Sequence, residues 1–179
     1  MRYWPILLFV GLFGLIALFY RGLWGNPSFI PPVVIQTPAR DFVAPELYKK
    51  TPIRLSQFKN KVVVLNFWAS WCAECKLEHP ALLKINEQFS SHPDFVMLGV
   101  NYQDKEELAK DYLQEHGNTF LHVRDMTGSI SIDYGIYGVP ETFVIDRLGI
   151  IRHKSIGPLI GQSYVTLVEK ILPPLLRQN

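Results

Sequence analysis

Apolar and polar positions divide the chain into a long apolar run, a punctuated stretch and an alternating domain. Residues 3–20 carry no charge over 18 positions. A helix rising about 1.5 Å per residue would span roughly 27 Å there, close to the ~30 Å hydrocarbon core of a bilayer. Arg2 and Arg21 bracket the run. Tyr3, Trp4, Tyr20 and Trp24 sit at its ends, where aromatic rings favour the interface. Pro5 falls in the first turn, where a missing N–H costs little. The pattern predicts a transmembrane anchor over residues 1–21. A cleavable signal peptide is the competing reading. Its apolar region would end in small residues, whereas this one ends Leu18-Phe19-Tyr20-Arg21-Gly22-Leu23-Trp24. Residues 22–40 hold Gly22, Gly25, Pro27, Pro31, Pro32 and Pro38 and read as an extended linker.

From residue 41 to 179 the pattern alternates strand and helix. Residues 62–68, Val-Val-Val-Leu-Asn-Phe-Trp, are β-branched and aromatic and too short for a helix, which predicts a central strand. A helix is expected over 73–89, a strand over 95–101, and a helix over 105–116 stopped by Gly117-Asn118. A short strand at 120–123 and a short helix at 129–134 follow. Residues 142–146 read as a strand, 147–149 as a turn and 150–156 as its hairpin partner. A final amphipathic helix over 160–172 is expected to stop at Pro173-Pro174. This order predicts an α/β domain, a central mixed β-sheet flanked by helices, preceded by one transmembrane helix.

Composition narrows the chemistry. Lys and Arg number 18 against 16 Asp and Glu, a net charge of +2 with both signs interspersed. No basic run of five exists, which argues against a nucleic-acid surface. Only two cysteines occur, Cys72 and Cys75, so a disulfide-stapled mini-protein and a four-cysteine zinc site are excluded.

Those cysteines lie in Trp68-Ala69-Ser70-Trp71-Cys72-Ala73-Glu74-Cys75, after the central strand and at the start of a helix. Unpaired N–H groups and the positive dipole end at that position stabilise a thiolate on Cys72. Cys75, one turn further in, is placed to resolve a mixed disulfide formed by Cys72. A metal half-site is the first alternative, but it needs two further soft ligands. His79, His92, His116, His122 and His153 form no spaced pair. A static structural disulfide is the second, and so short a loop constrains the unfolded chain little. The other signal is Tyr137-Gly138-Val139-Pro140-Glu141-Thr142-Phe143, leading into a strand. Pro140 is a candidate cis proline that would set the Val139 backbone beside the active sulfur, where it could pair with an extended peptide; an ordinary trans turn is the alternative.

Together these motifs resemble the thioredoxin superfamily, and Trp71-Cys72-Ala73-Glu74-Cys75-Lys76-Leu77-Glu78-His79-Pro80 is similar to the membrane-tethered reductases of the TlpA/ResA/CcmG group. Residues 99–104 and 134–152 are most similar to the CcmG/DsbE family of bacterial cytochrome c maturation. The resemblance implies a thioredoxin-like fold, with Cys72 as exposed nucleophile, Cys75 as buried resolving thiol and Pro140 as the cis proline. Glu141 would lie near the active site. Glu78 would manage protons of the thiol pair, its alternative being a solvated helix carboxylate. Glu74 reads as solvent-exposed, Trp71 as a shield on one side of the sulfur and Trp68 as core. Pro80 matches the superfamily's kinking proline. Two departures stand out: Ala73 replaces the proline common in the loop, and Asn66 replaces the buried aspartate of ordinary thioredoxins, so that Glu78 or Glu141 would have to take the proton.

By the same resemblance the chain would be a periplasmic thiol:disulfide oxidoreductase. It would keep the haem-binding cysteines of apocytochrome c reduced, acting on apocytochrome or on a haem-ligation partner holding it. A DsbD/CcdA-type membrane donor would supply electrons. No metal or cofactor beyond a redox-active Cys72–Cys75 disulfide is implied. The implied location is the bacterial inner membrane, single-pass through residues 3–20, with the N-terminus cytoplasmic and the catalytic domain periplasmic. Two alternatives stay open: a general TlpA-like periplasmic thioredoxin, and a non-redox assembly factor that only binds apocytochrome.

Overall fold

The computed structural model describes residues 3–23 and 35–177, in two separate units. The first is helix α1, Trp4–Leu23. Its Trp4–Arg21 window has a mean hydropathy of 1.8, and none of its residues is buried. Length and composition let it cross a membrane, and a signal sequence would pass the same test.

The second unit begins with two short antiparallel strands, β1 (Val43–Pro45) and β2 (Pro52–Arg54). The chain then runs through β3 (Val62–Trp68), α2 (Ala73–Phe89), β4 (Phe95–Tyr102), α3 (Glu106–His116), β5 (Leu121–Asp125) and α4 (Ser129–Asp133). Strands β6 (Glu141–Ile145) and β7 (Ile151–Ile156) follow, then α5 (Gln162–Val165), a π-helical stretch (Thr166–Ile171) and α6 (Leu172–Arg177). The five longer strands form one mixed sheet in the order β5-β4-β3-β6-β7. Strands β3, β4 and β5 are parallel, joined by α2 and α3; β6 runs antiparallel to β3 and β7 antiparallel to β6.

Every residue of β3 is buried, as its unbroken apolar run demands of a strand covered on both faces. Val62 and Val64 pack with Leu82 and Ile85 of α2 and with Leu167, Leu172 and Leu176 near the C-terminus. Phe67 packs on the other face against Tyr134 and Phe143. In β4, a Cβ on Gly99 would overlap the His122 ring and come within 2.9 Å of Trp68 Nε1. Glycine is what lets those two rings close over the sheet beneath the active-site loop.

The chain does not stop at Pro173-Pro174 as expected. The π-helical stretch turns Leu172 and Leu176 inward, and α6 then starts at Leu172. Helical backbone is continuous from Gln162 to Arg177, so Pro173 and Pro174 sit inside the run, directly after its wider π-helical turn, and do not end it. Arg147 Nη2 donates to the Leu176 carbonyl (2.9 Å) and satisfies one terminal acceptor.

Most of the expected linker, residues 24–34, lies outside the described residues. Residues 36–39 are bound to the domain. Gln36 N–H donates to Ile151 O (2.7 Å), Ile151 N–H to Thr37 O (2.9 Å) and Ala39 N–H to Gly149 O (2.8 Å).

Candidate active site

The turn from β3 into α2 carries the two cysteines. Cys72 is the N-cap residue of α2, with extended backbone, and its sulfur accepts the Cys75 N–H at 3.0 Å. Cys72 and Cys75 form a disulfide. The turn is clamped from the end of β4. Asp104 accepts the Ser70 N–H (2.6 Å), the Ser70 hydroxyl (2.9 Å) and the Asn101 amide (3.0 Å). Trp71 Nε1 donates to Gln103 O (3.4 Å), and its ring meets Tyr102 edge-on. Trp71 is 58% exposed and leans to this side, while Trp68 is buried as expected. The contrast expected between the cysteines is narrow: Cys72 is 6% exposed and Cys75 2%, both within one apolar cluster with Trp68, Ala69 and Val139.

The Val139–Pro140 peptide bond is cis, which removes the trans-turn alternative. It brings the Val139 carbonyl oxygen to 3.3 Å from Cys72 Sγ. The Pro140 carbonyl accepts the Gly157 N–H (3.0 Å), while the Val139 N–H donates to no backbone carbonyl among the described residues. Tyr137 stands exposed at the rim of the same loop.

The two acids lie on opposite faces of β6. Asn66 pairs with Thr142 in register, and Asn66 Nδ2 donates both to Thr142 Oγ1 (2.9 Å) and to Glu78 Oε1 (2.8 Å), placing Glu78 on the α2 side. Glu141, one residue before Thr142, points to the other side, since strand side chains alternate. Glu78 Oε2 accepts the Leu159 N–H (2.8 Å) and the residue is fully buried, so it is not a solvated helix carboxylate. Burial lifts its pKa to about 7 against the partial relief of those two hydrogen bonds. Glu74, in contrast, is exposed. Glu141 is bound elsewhere: Lys154 Nζ lies 2.7 Å from its Oε2, and its Oε1 accepts the Tyr137 N–H (3.0 Å). Of the two acids, Glu78 is therefore the one without a cation among the described residues.

Pro80 lies within α2 and is solvent-exposed. The residues that sequence reasoning missed are supports of the site. They are Asp104 under the loop, Thr142 in the Asn66 network, Lys154 against Glu141, and Tyr112, whose hydroxyl donates to Cys75 O (3.5 Å). Burial pushes the Tyr112 phenol up to about 12, keeping it a donor. Each of these pairings depends on strand register or helix placement, which local sequence does not carry. Among the described residues no cluster of three or more His, Cys, Asp or Glu side chains could hold a metal ion.

Residues 35–154 match the AhpC/TSA family. The chain is 38% identical over 157 residues to the thiol:disulfide interchange protein DsbE of Pseudomonas aeruginosa, covering 85% of this chain and 83% of that protein. It is 30% identical over 174 residues to the thiol:disulfide interchange protein HelX of Rhodobacter capsulatus, covering 96% and 93%. Among solved structures, the thioredoxin domain of a thiol-disulfide oxidoreductase from Bacteroides vulgatus superposes with a TM-score of 0.68 at 26% identity, covering 77% of this chain and 97% of that one.

Proposed function

This chain belongs to the DsbE family of thiol:disulfide interchange proteins, and we propose that it works as a reductant of protein disulfides at the outer face of a bacterial inner membrane. It is a thioredoxin-like thiol:disulfide interchange enzyme with a thiol-redox role towards protein partners. The finer reading is that Cys72 serves as nucleophile and Cys75 as resolving thiol, on the oxidised haem-binding Cys-x-x-Cys-His segment of an apocytochrome c or a partner holding it.

The observation that carries this reading is the meeting of three elements at one sulfur: the α2 N-terminus, the resolving Cys75 and the Val139 carbonyl at 3.3 Å from Cys72 Sγ. In the reduced enzyme, the first-turn N–H groups favour a Cys72 thiolate. That thiolate attacks one sulfur of the substrate disulfide. The substrate S–S bond breaks, a mixed disulfide forms, and the departing substrate sulfur takes a proton. Cys75 then gives up its proton and attacks Cys72, so that the mixed disulfide breaks and the second substrate thiol leaves. Two electrons and two protons pass to the substrate, and the enzyme is left with the Cys72–Cys75 disulfide. Val139 offers backbone groups to an extended substrate strand across the cis proline. Glu78, with a pKa raised to about 7 and held by Asn66 one helical turn after Cys75, is the group suited to take the proton that Cys75 loses. A dithiol donor of the DsbD/CcdA kind would restore the reduced state, and α1 would hold the domain at the membrane with the N-terminus cytoplasmic.

Trapping tests the reading. Cys75→Ser removes the resolving thiol, so the full chain expressed in a bacterium with a cytochrome c maturation system should accumulate an adduct on Cys72 that dithiothreitol releases. Mass spectrometry should identify an apocytochrome c or its haem-ligation partner in it. Haem attachment that survives replacement of both cysteines by serine would leave a binding role in place of the redox one.

A further inference from the structure

Strand β7 closes the sheet edge and also grips the loop that faces the disulfide. Lys154 lies opposite Phe143 in register, with Nζ 5.0 Å from that ring's centre. From there it reaches diagonally over β6 to Glu141 Oε2 at 2.7 Å, with side-chain exposures of only 4% and 1%. The same ammonium donates to the Gly135 carbonyl (3.2 Å) and sits 5.6 Å from the centre of the Tyr137 ring. Glu141 Oε1 in turn accepts the Tyr137 N–H, and Gly157, just past β7, donates to the Pro140 carbonyl at 3.0 Å. The segment 135–140 is therefore tied to β7 at both ends, and the residue it presents to Cys72 Sγ is Val139.

We propose that Lys154 is a positioning residue for thiol:disulfide exchange, its buried ammonium setting the 135–140 loop, through Gly135 O and Glu141, so that Val139 is held against Cys72. Stability alone does not explain such a pair. Taking an ammonium and a carboxylate out of water is costly, and an apolar pair of similar volume often serves the fold as well or better. What an apolar pair lacks is charge and a donor, and Lys154 uses both: it donates to the Gly135 carbonyl on one side of the loop and holds the Glu141 carboxylate by charge on the other. The assignment rests on the exchange reading above.

Its test uses the full chain in detergent, reduced at the start, and two oxidants: a peptide carrying an oxidised Cys-x-x-Cys-His segment, which must lie along the loop, and hydroxyethyl disulfide, which need not. Lys154→Met should slow oxidation by the peptide at least tenfold, and at least fivefold more than it slows oxidation by hydroxyethyl disulfide. Lys154→Arg should recover most of the loss. Because Lys154→Met leaves a lone buried carboxylate, Lys154→Met/Glu141→Gln is the companion variant. It should regain the melting temperature but not the peptide rate. Equal losses on both oxidants, a peptide rate within twofold of wild type, or a double variant whose peptide rate returns along with its melting temperature would each overturn the assignment. A wild-type chain inert to both oxidants would instead sink the exchange reading itself, and this assignment with it.

Discussion

Glu78 accepts the Asn66 amide and the Leu159 N–H in a space without water access, and burial raises its pKa to about 7 from the ordinary 4.5. Between those values the folded protein holds a proton that the unfolded chain has released. Folding stability is then full below the unfolded value and falls as pH rises through about 7. The loss is on the order of 3 kcal/mol, since each tenfold change in proton affinity is worth about 1.4 kcal/mol. Urea unfolding of the oxidised chain should therefore show stability declining from pH 5 to 8, and Glu78→Gln should flatten that decline. Alkylation of Cys72 in the reduced chain should lose an inflection near neutrality in the same variant. A pH dependence identical to wild type in both measurements would remove the proton-handling role. Sequence left this residue undecided for a definite reason. Glu74 and Glu78 are four positions apart and share a helix face. Yet Glu78 falls inside the buried stripe of α2 with Cys75, Leu82 and Ile85, while Glu74 lies at its edge and is exposed; a carboxylate in such a stripe has no evident reason to be there until its partners, Asn66 and the Leu159 N–H, come from elsewhere in the chain.

The elements around the disulfide differ in how openly the sequence declares them. Strand β3 and helix α2 have the expected bounds, because a β-branched run and a Cys-x-x-Cys at a helix start are local signals. Strands β1 and β2 have three residues each and escape any periodicity. The rule that ends the last helix at the prolines fails because the helix carries them inside a continuous run, behind the π-helical stretch Thr166–Ile171. The clamp at the end of β4 is equally hidden, since Asp104 meets Ser70 only once β3 and β4 lie side by side. Asp104→Ala would leave the Ser70 N–H and the Asn101 amide without their acceptor, at a cost of about 1–3 kcal/mol for the buried Asn101 amide and less for the part-buried Ser70 N–H. We expect a lower urea midpoint and faster amide hydrogen exchange at Ser70 and Trp71 than in wild type, with the centre of β3 still protected. Unchanged exchange at those two amides would show that the loop is held by other contacts.

For the whole molecule, a net charge of +2 with mixed signs gives the chain little electrostatic hold on a lipid surface, so the proposed attachment to a membrane rests on α1. The Trp4–Arg21 window is apolar and unburied, and a bilayer would bury it. Expressed in a Gram-negative host, the chain should sediment with membranes, resist alkaline carbonate and dissolve in detergent. Its intact mass should be that of the whole 20.6 kDa chain. External protease added to spheroplasts should reach the domain if it faces the periplasm. Leu12→Arg, near the middle of the helix, would add about 2.5–3.5 kcal/mol to insertion and should move a measurable share of the chain out of the membrane fraction. A soluble product lacking α1 would give the segment back to the signal-peptide reading, and the exchange chemistry at Cys72 would then belong to a freely diffusing domain. A full-length chain shielded from external protease would reverse the orientation. It would place the thiol pair in a reducing compartment, where a dedicated disulfide reductant has little to act on.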